Sequence, residues 1–177
     1  LPEILFQTQM VQELLLSYIG FSFDCGAVAE SMHPFTTTLC PGDVRVTNHY
    51  YADNPISSMF SAIHEGGHAI FEQNVDKDFW HTAAAQINMM GLHESQSRFY
   101  ENILGRNPHF WTPIYEKMSE LLPEFKTIPF DTFVKAINDV HPSMIRTEAD
   151  EVTYGLHIIL RYEIEKAIFR DNVKTDD

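Results

Sequence analysis

Basic residues are scarce in this chain of 177 residues: 12 Lys and Arg stand against 25 Asp and Glu, a formal net charge of −13. Such a surface repels phosphate backbones, which argues against general nucleic-acid binding. No polybasic stretch is present to hold an anionic membrane. Long apolar runs are missing too, so the sequence predicts no membrane-spanning helix. Cysteine is limited to Cys25 and Cys40, too few for a disulfide framework and not in C-x-x-C spacing. Two free thiols in a reducing compartment are expected rather than a bridge. The opening Leu1-Pro2-Glu3-Ile4 has no basic segment, no small-residue cleavage site and no initiator Met. It does not read as a signal peptide, and the missing Met suggests a chain cut from something longer.

What is present points to one folded domain over residues 1–177. The length can bury a core, and 12% aromatic residues is far above what a solvated tail carries. Leu1 to Ile19 reads as a helix with Ile4, Leu5, Val11, Leu14, Leu15, Tyr18 and Ile19 near helical spacing, stopped by Gly20. Phe35–Leu39 and Val44–Tyr50 flank the turn chemistry of Cys40-Pro41-Gly42-Asp43 and predict a hairpin. Asn54 can cap, and Pro55 can begin, a helix to about Gln73. Further helices are predicted at about Leu92–Leu104, Pro113–Leu122, Thr132–Val140 and Ala149–Arg170. The last has Val152, Leu156, Ile159, Leu160 and Ile164 as its apolar face. The fold class is therefore mainly α, with one small β hairpin or sheet near the 55–73 helix.

Nine histidines raise the question of which have ligand spacing. His64-Glu65-Gly66-Gly67-His68 is H-E-x-x-H inside the predicted 55–73 helix. Residues four apart share a helix face, so two imidazoles can reach one zinc ion. Glu65 points beside the metal, where it can take a proton from the attacking water and pass it to a leaving amine. Catalytic zinc needs a third protein ligand and one open position. Glu94, on the next predicted helix, is the first candidate. Glu72 shares the helix of His68, Asp76 and Asp78 follow it too closely, and Glu101 lies further along. His93, as the neighbour of Glu94, points about 100° away around the helix, which suits support of the site or a substrate contact better than ligation.

Five motifs occur in order: His33-Pro34-Phe35, Asp43-x-Arg45-x-Thr47, His64-Glu65-x-x-His68, His93-Glu94-Ser95-Gln96 and Ile145-Arg146-x-x-Ala149-Asp150. The series resembles the thermostable Taq-type carboxypeptidases, a family of metallopeptidases. The resemblance implies a zincin-like helical core, His64, His68 and Glu94 as metal ligands and Glu65 as general base. It also implies a zinc or cobalt ion, and release of single residues, with broad preference, from peptides with a free C-terminus. Cytoplasmic, homodimeric proteins are typical of the family. Its members run to about three times this length, in the range where a chain divides into subdomains. Their G-x-x-Q-D-x-H-W segment, which follows the last helix, is absent from residues 1–177.

A carboxypeptidase must recognise an α-carboxylate, and Arg does so with a planar two-point fork. Arg146 is the first candidate and Arg45 the second; the competing role for each is an ion pair, with Asp150 or Asp43. Tyr154, His157 and Arg161 form a polar stripe on the last helix, from which Tyr154 or His157 could donate to an oxyanion. The competing role of that stripe is a buried, satisfied seam. Two other functions stay in play: an oligoendopeptidase with the same ligand geometry, and a catalytically silent zinc-binding fragment.

Overall fold

The computed structural model describes residues 2–51, 53–86, 89–171, 173 and 174, with the side chains of 2–5, 86 and 148 outside the description. The chain divides into two compact units, Leu1–Val134 and Lys135–Asp177.

The first unit begins with α1 (Pro2–Ile19). Leu1 and the side chains of Ile4 and Leu5, assigned above to its apolar face, lie outside the described residues. Val11, Leu15 and Leu16 are fully buried. Gly20 adopts φ +104°, a conformation costly for any residue with a Cβ. It thereby lets Gly20 N–H reach Ser17 O and Phe21 N–H reach Leu16 O, the paired bonds that close a helix C-terminus. The same turn lays Phe21 beside Leu16 in a core cluster with Val44, Val46 and Ala69.

The predicted hairpin forms β2 (Phe35–Cys40) and β3 (Asp43–Asn48), antiparallel as expected. A third strand, β1 (Gly26–Glu30), was not anticipated; it pairs parallel to β3, giving the order β1-β3-β2. Gly26 has room for nothing larger, since a Cβ there would meet Val44 O at 2.7 Å. Gln73 holds the entry to β1 by accepting from Ser22 N–H and donating to Ser22 O.

The central element is α2 (Pro55–Gln73), started by Pro55 and capped by the Asn54 side chain, which accepts from Ser57 N–H at 3.1 Å. Its neighbours meet it at two adjacent glycines. A Cβ on Gly66 would lie 2.6 Å from Ile19 Cδ1 of α1. One on Gly67 would lie 2.8 Å from Ser97 Cα of α3 (Met90–Arg98). Helices α1 and α3 can therefore press close to α2 on either side of the H-E-x-x-H turn. A π-helical stretch, Phe99–Leu104, continues α3 before Gly105. Then follow α4 (Pro108–Trp111), α5 (Tyr115–Leu121) and the start of α6 (Phe130–Ile137); Trp111, Met118, Leu122, Phe125 and Phe133 are buried here, and Phe133 packs against Trp111 and Phe125.

The second unit contains α7 (Tyr154–Asp171). The helix starts at Tyr154 rather than Ala149 because the Asp150 carboxylate accepts from Val152 N–H, Thr153 N–H and the Thr153 hydroxyl, a local turn that competes with helix. Its expected apolar face is not buried: Val152, Leu156, Ile159, Leu160 and Ile164 are 51–63% exposed. Spacing identifies an apolar face, but whether anything covers it is decided by packing. No residue of α7 is buried, so the alternative of a buried polar seam through Tyr154, His157 and Arg161 does not hold either.

Candidate metal centre

The buried side of α2 leaves His64 and His68 facing α3, one turn apart. Because Gly67 admits the α3 backbone, the Glu94 carboxylate arrives between them. Its Oε2 lies 3.6 Å from His64 Nε2 and 3.3 Å from His68 Nε2. One ligand atom from each of these residues falls within 4.8 Å of the others, the one such group of three among the described residues. Metal bonds of about 2.1 Å in a tetrahedron set ligand atoms about 3.4 Å apart. The donor set and its spacing thus fit a divalent cation.

Each imidazole carries a partner on its far nitrogen. His64 Nδ1 lies 2.7 Å from Glu101 Oε2, and Glu101 also receives Arg98 at 3.0 Å. His68 Nδ1 lies 2.5 Å from His93 Nδ1, whose own Nε2 is 2.7 Å from Glu72 Oε1. Glu101 and Glu72, weighed above as rival ligands, therefore sit behind the imidazoles, not beside Glu94. A hydrogen-bonded Nδ1–H leaves the Nε2 lone pair free to ligate.

The electrostatics favour a cation. Hydrogen bonding from His68 lowers the pKa of Glu94; although burial opposes ionisation, the charge of His64 and the pairing with Arg98 help hold it at about 2. For His64, burial resists protonation, but the hydrogen bond and charge of Glu101, joined by Glu65 and Glu94, outweigh it and push the pKa up. These are the signatures of an electron-rich pocket.

Glu65 turns away from this face and is only 8% exposed. Its Oε2 accepts from the Thr36 hydroxyl at 2.7 Å. Two residues along β2, the Thr38 hydroxyl donates to Glu72 Oε2 at 3.2 Å. Thr36 and Thr38 were not singled out from the sequence. The available signal was the period of two in Thr36-Thr37-Thr38, which puts both hydroxyls on one face of a strand. Beyond Glu72 and His93 opens a cavity of about 490 Å³, lined also by Leu39, Val75 and Trp80.

The remaining candidates have partners of their own. Arg45 forms a two-point fork with Asp43, 2.9 Å on each arm. In the second unit, Arg146 donates to the Tyr154 hydroxyl at 2.5 Å and lies over that ring, while Asp150 turns to backbone amides instead. Arg146 Nε has no hydrogen-bond partner among the described residues. His157 is half-buried on α7. His33 sits in the bend between β1 and β2, where its carbonyl accepts from Ser31. Cys25 and Cys40 are both free thiols, and no described helix is long and apolar enough to cross a membrane.

Comparison with known proteins agrees with the motif series. The family model described as Carboxypeptidase Taq (M32) metallopeptidase matches residues 5–177. The chain is 55% identical over 163 residues to Carboxypeptidase 1 of Bacillus subtilis, covering 92% of this chain and 32% of that protein. It is 41% identical over 163 residues to Thermostable carboxypeptidase 1 of Thermus thermophilus, with the same two shares, 92% and 32%. Among solved structures, the M32 carboxypeptidase from Deinococcus radiodurans R1 superposes with a TM-score of 0.89 at 35% identity, over 94% of this chain and 34% of that one. The chain thus spans about a third of the length of the curated relatives it matches. Over that third, which includes the H-E-x-x-H helix and the hairpin beside it, it belongs to the Taq-type (M32) carboxypeptidase family of metallopeptidases.

Proposed function

We propose that the chain is the catalytic region, a single partial domain over residues 1–177, of a zinc-dependent carboxypeptidase that removes single residues from the C-termini of peptides with broad preference. The observation that carries this reading is the convergence of His64 Nε2, His68 Nε2 and Glu94 Oε2, with a buried carboxylate on the adjacent residue, Glu65. The three ligands would hold zinc, with cobalt as a substitute; when bound, the ion polarises the scissile carbonyl and acidifies water.

The rest of the chemistry belongs to the chain. Thr36 occupies Glu65 Oε2, and Oε1 has no hydrogen bond to a described residue. On this reading Glu65 takes the proton of the attacking water, with Oε1 as the oxygen left for it. The water oxygen bonds to the carbonyl carbon, the C–N bond breaks, and Glu65 returns the proton to the departing amine. No covalent enzyme intermediate is required. Arg146 and Arg45 are the candidate receptors for the free carboxylate, and Arg146 stands first because the fork of Arg45 is engaged by Asp43. His93, Tyr154 and His157 are the further candidate contacts to substrate. The relatives' names, Carboxypeptidase 1 and Thermostable carboxypeptidase 1, support the exopeptidase over the oligoendopeptidase. The acidic surface argues against binding nucleic acid or an anionic membrane, and a cytoplasmic location and a homodimer are what the family resemblance implies for the full-length protein.

The test is mass spectrometry of an unblocked ten-residue peptide incubated with the zinc-loaded chain, beside E65Q. A ladder losing one residue at a time from the C-terminus, absent with E65Q, is the expected result. Internal fragments would establish the endopeptidase instead. Zinc bound one to one with no cleavage would mean a silent metal-binding fragment.

A further inference from the structure

The two histidines of the centre are secured by different devices. His64 meets a carboxylate directly, whereas His68 meets another imidazole. The facing Nδ1 atoms of His68 and His93 are 2.5 Å apart, so one proton, and only one, lies between them. The other nitrogen of His93 is 2.7 Å from Glu72 Oε1, a group that only accepts, so the His93 Nε2 bears the hydrogen. A ring protonated at Nε2 presents a lone pair at Nδ1. The shared proton is therefore that of His68, which makes its Nε2, 3.3 Å from Glu94 Oε2, the nitrogen that can offer its lone pair to a cation. Thr38 completes the series by donating to the second oxygen of Glu72. Phe71 packs against His93 with ring centres 4.8 Å apart, limiting rotation of the middle ring.

We infer that Glu72 and His93 are positioning residues that fix the tautomer and orientation of His68 and thereby set the cation affinity of the centre. The inference deepens the proposed function and rests on it, since it presumes that His68 ligates. It gives Glu72 a role through two hydrogen bonds rather than as a ligand. It also gives His93 a role that does not require contact with substrate.

The test is zinc affinity of the 1–177 chain, measured by competition with a colorimetric chelator. The visible spectrum of the cobalt-loaded protein and the urea midpoint of the metal-free protein are recorded alongside. Loss of such an outer partner typically weakens metal binding roughly 10–100-fold. E72L, which removes the acceptor for His93, and H93F should each do so and alter the cobalt spectrum, with the metal-free urea midpoint unchanged. H93Q should recover much of the loss, because its side-chain oxygen can accept from His68. Wild-type affinity in E72L and H93F overturns the inference while leaving the metal centre intact. A loss of affinity that tracks a lower urea midpoint, without recovery in H93Q, makes the role structural and also overturns it. A wild-type chain that binds no zinc overturns the metal centre itself, and this inference with it.

Discussion

The hydroxyl of Thr36 lies 2.7 Å from Glu65 Oε2 and 2.9 Å from the carbonyl oxygen of the same residue. A strand residue thus holds the carboxylate that neighbours His64 in the sequence. A hydrogen bond to a charged group is worth about 1.5–3 kcal/mol. T36V keeps the shape and removes the donor. It should lower kcat by about 10- to 100-fold at a barrier cost of that size, with zinc affinity unchanged. Steady-state kinetics beside a zinc titration checks this; unchanged kcat would show that Glu65 needs no such support.

Gly66 and Gly67 should respond differently to a methyl group. In G67A the new Cβ meets the α3 backbone, 2.8 Å from Ser97 Cα and 3.1 Å from Gln96 O. Backbone cannot rotate away, so α3 must retreat and take Glu94 with it. A stability loss of about 1–3 kcal/mol is expected, with weaker zinc binding. In G66A the nearest atoms are the side-chain ends of Ile19 and Leu16. These can turn, and Ala gains up to about 1 kcal/mol of helix propensity over Gly. Urea denaturation should rank G67A clearly below G66A, and only G67A should lose zinc affinity.

Zinc should stabilise the folded chain through its three ligands. At a free concentration 100 times the Kd, the expected gain is about 2.7 kcal/mol. H68A and E94A should lose it, seen as a urea midpoint that no longer rises with added zinc. A full response in E94A would remove Glu94 from the ligand set.

Acid should act on Asp150. Burial raises its pKa, but hydrogen bonds from Thr153 N–H and hydroxyl, Val152 N–H and His141 N–H prevail and hold it at about 2. An unfolded Asp titrates near 3.9. Its contribution to stability is therefore complete above about pH 4 and is lost as the pH falls towards 2. The Thr153 amide shift should titrate with a midpoint near 2, and the response should vanish in D150N. A midpoint near 4 would show that these bonds do not favour the charged form.

What was legible in the sequence was local. Asn54-Pro55 starts α2 and Gly20 ends α1 because capping and φ are properties of a few neighbouring residues. Four-residue spacing puts His64 and His68 on one face for the same reason. Strand β1 was not legible: Gly26-Ala27-Val28-Ala29-Glu30 has little β character of its own and is a strand because Val44–Asn48 lies beside it. Thr36 and Thr38 gain meaning only once β2 is laid along α2. The exposure of Leu156 and Leu160 on α7 was beyond any periodicity, since a face and its cover are encoded in different segments.

Thr36 has a consequence for how such a centre can change. The carboxylate of Glu65 takes its hydrogen bond from β2, while the two imidazoles are partnered from α3, the π-helical stretch and the far end of α2. On the proposed function, substitutions along β2 at position 36 should therefore retune reactivity without disturbing ion retention, and substitutions behind the imidazoles should do the reverse. Two traits packed into five consecutive residues are separately adjustable.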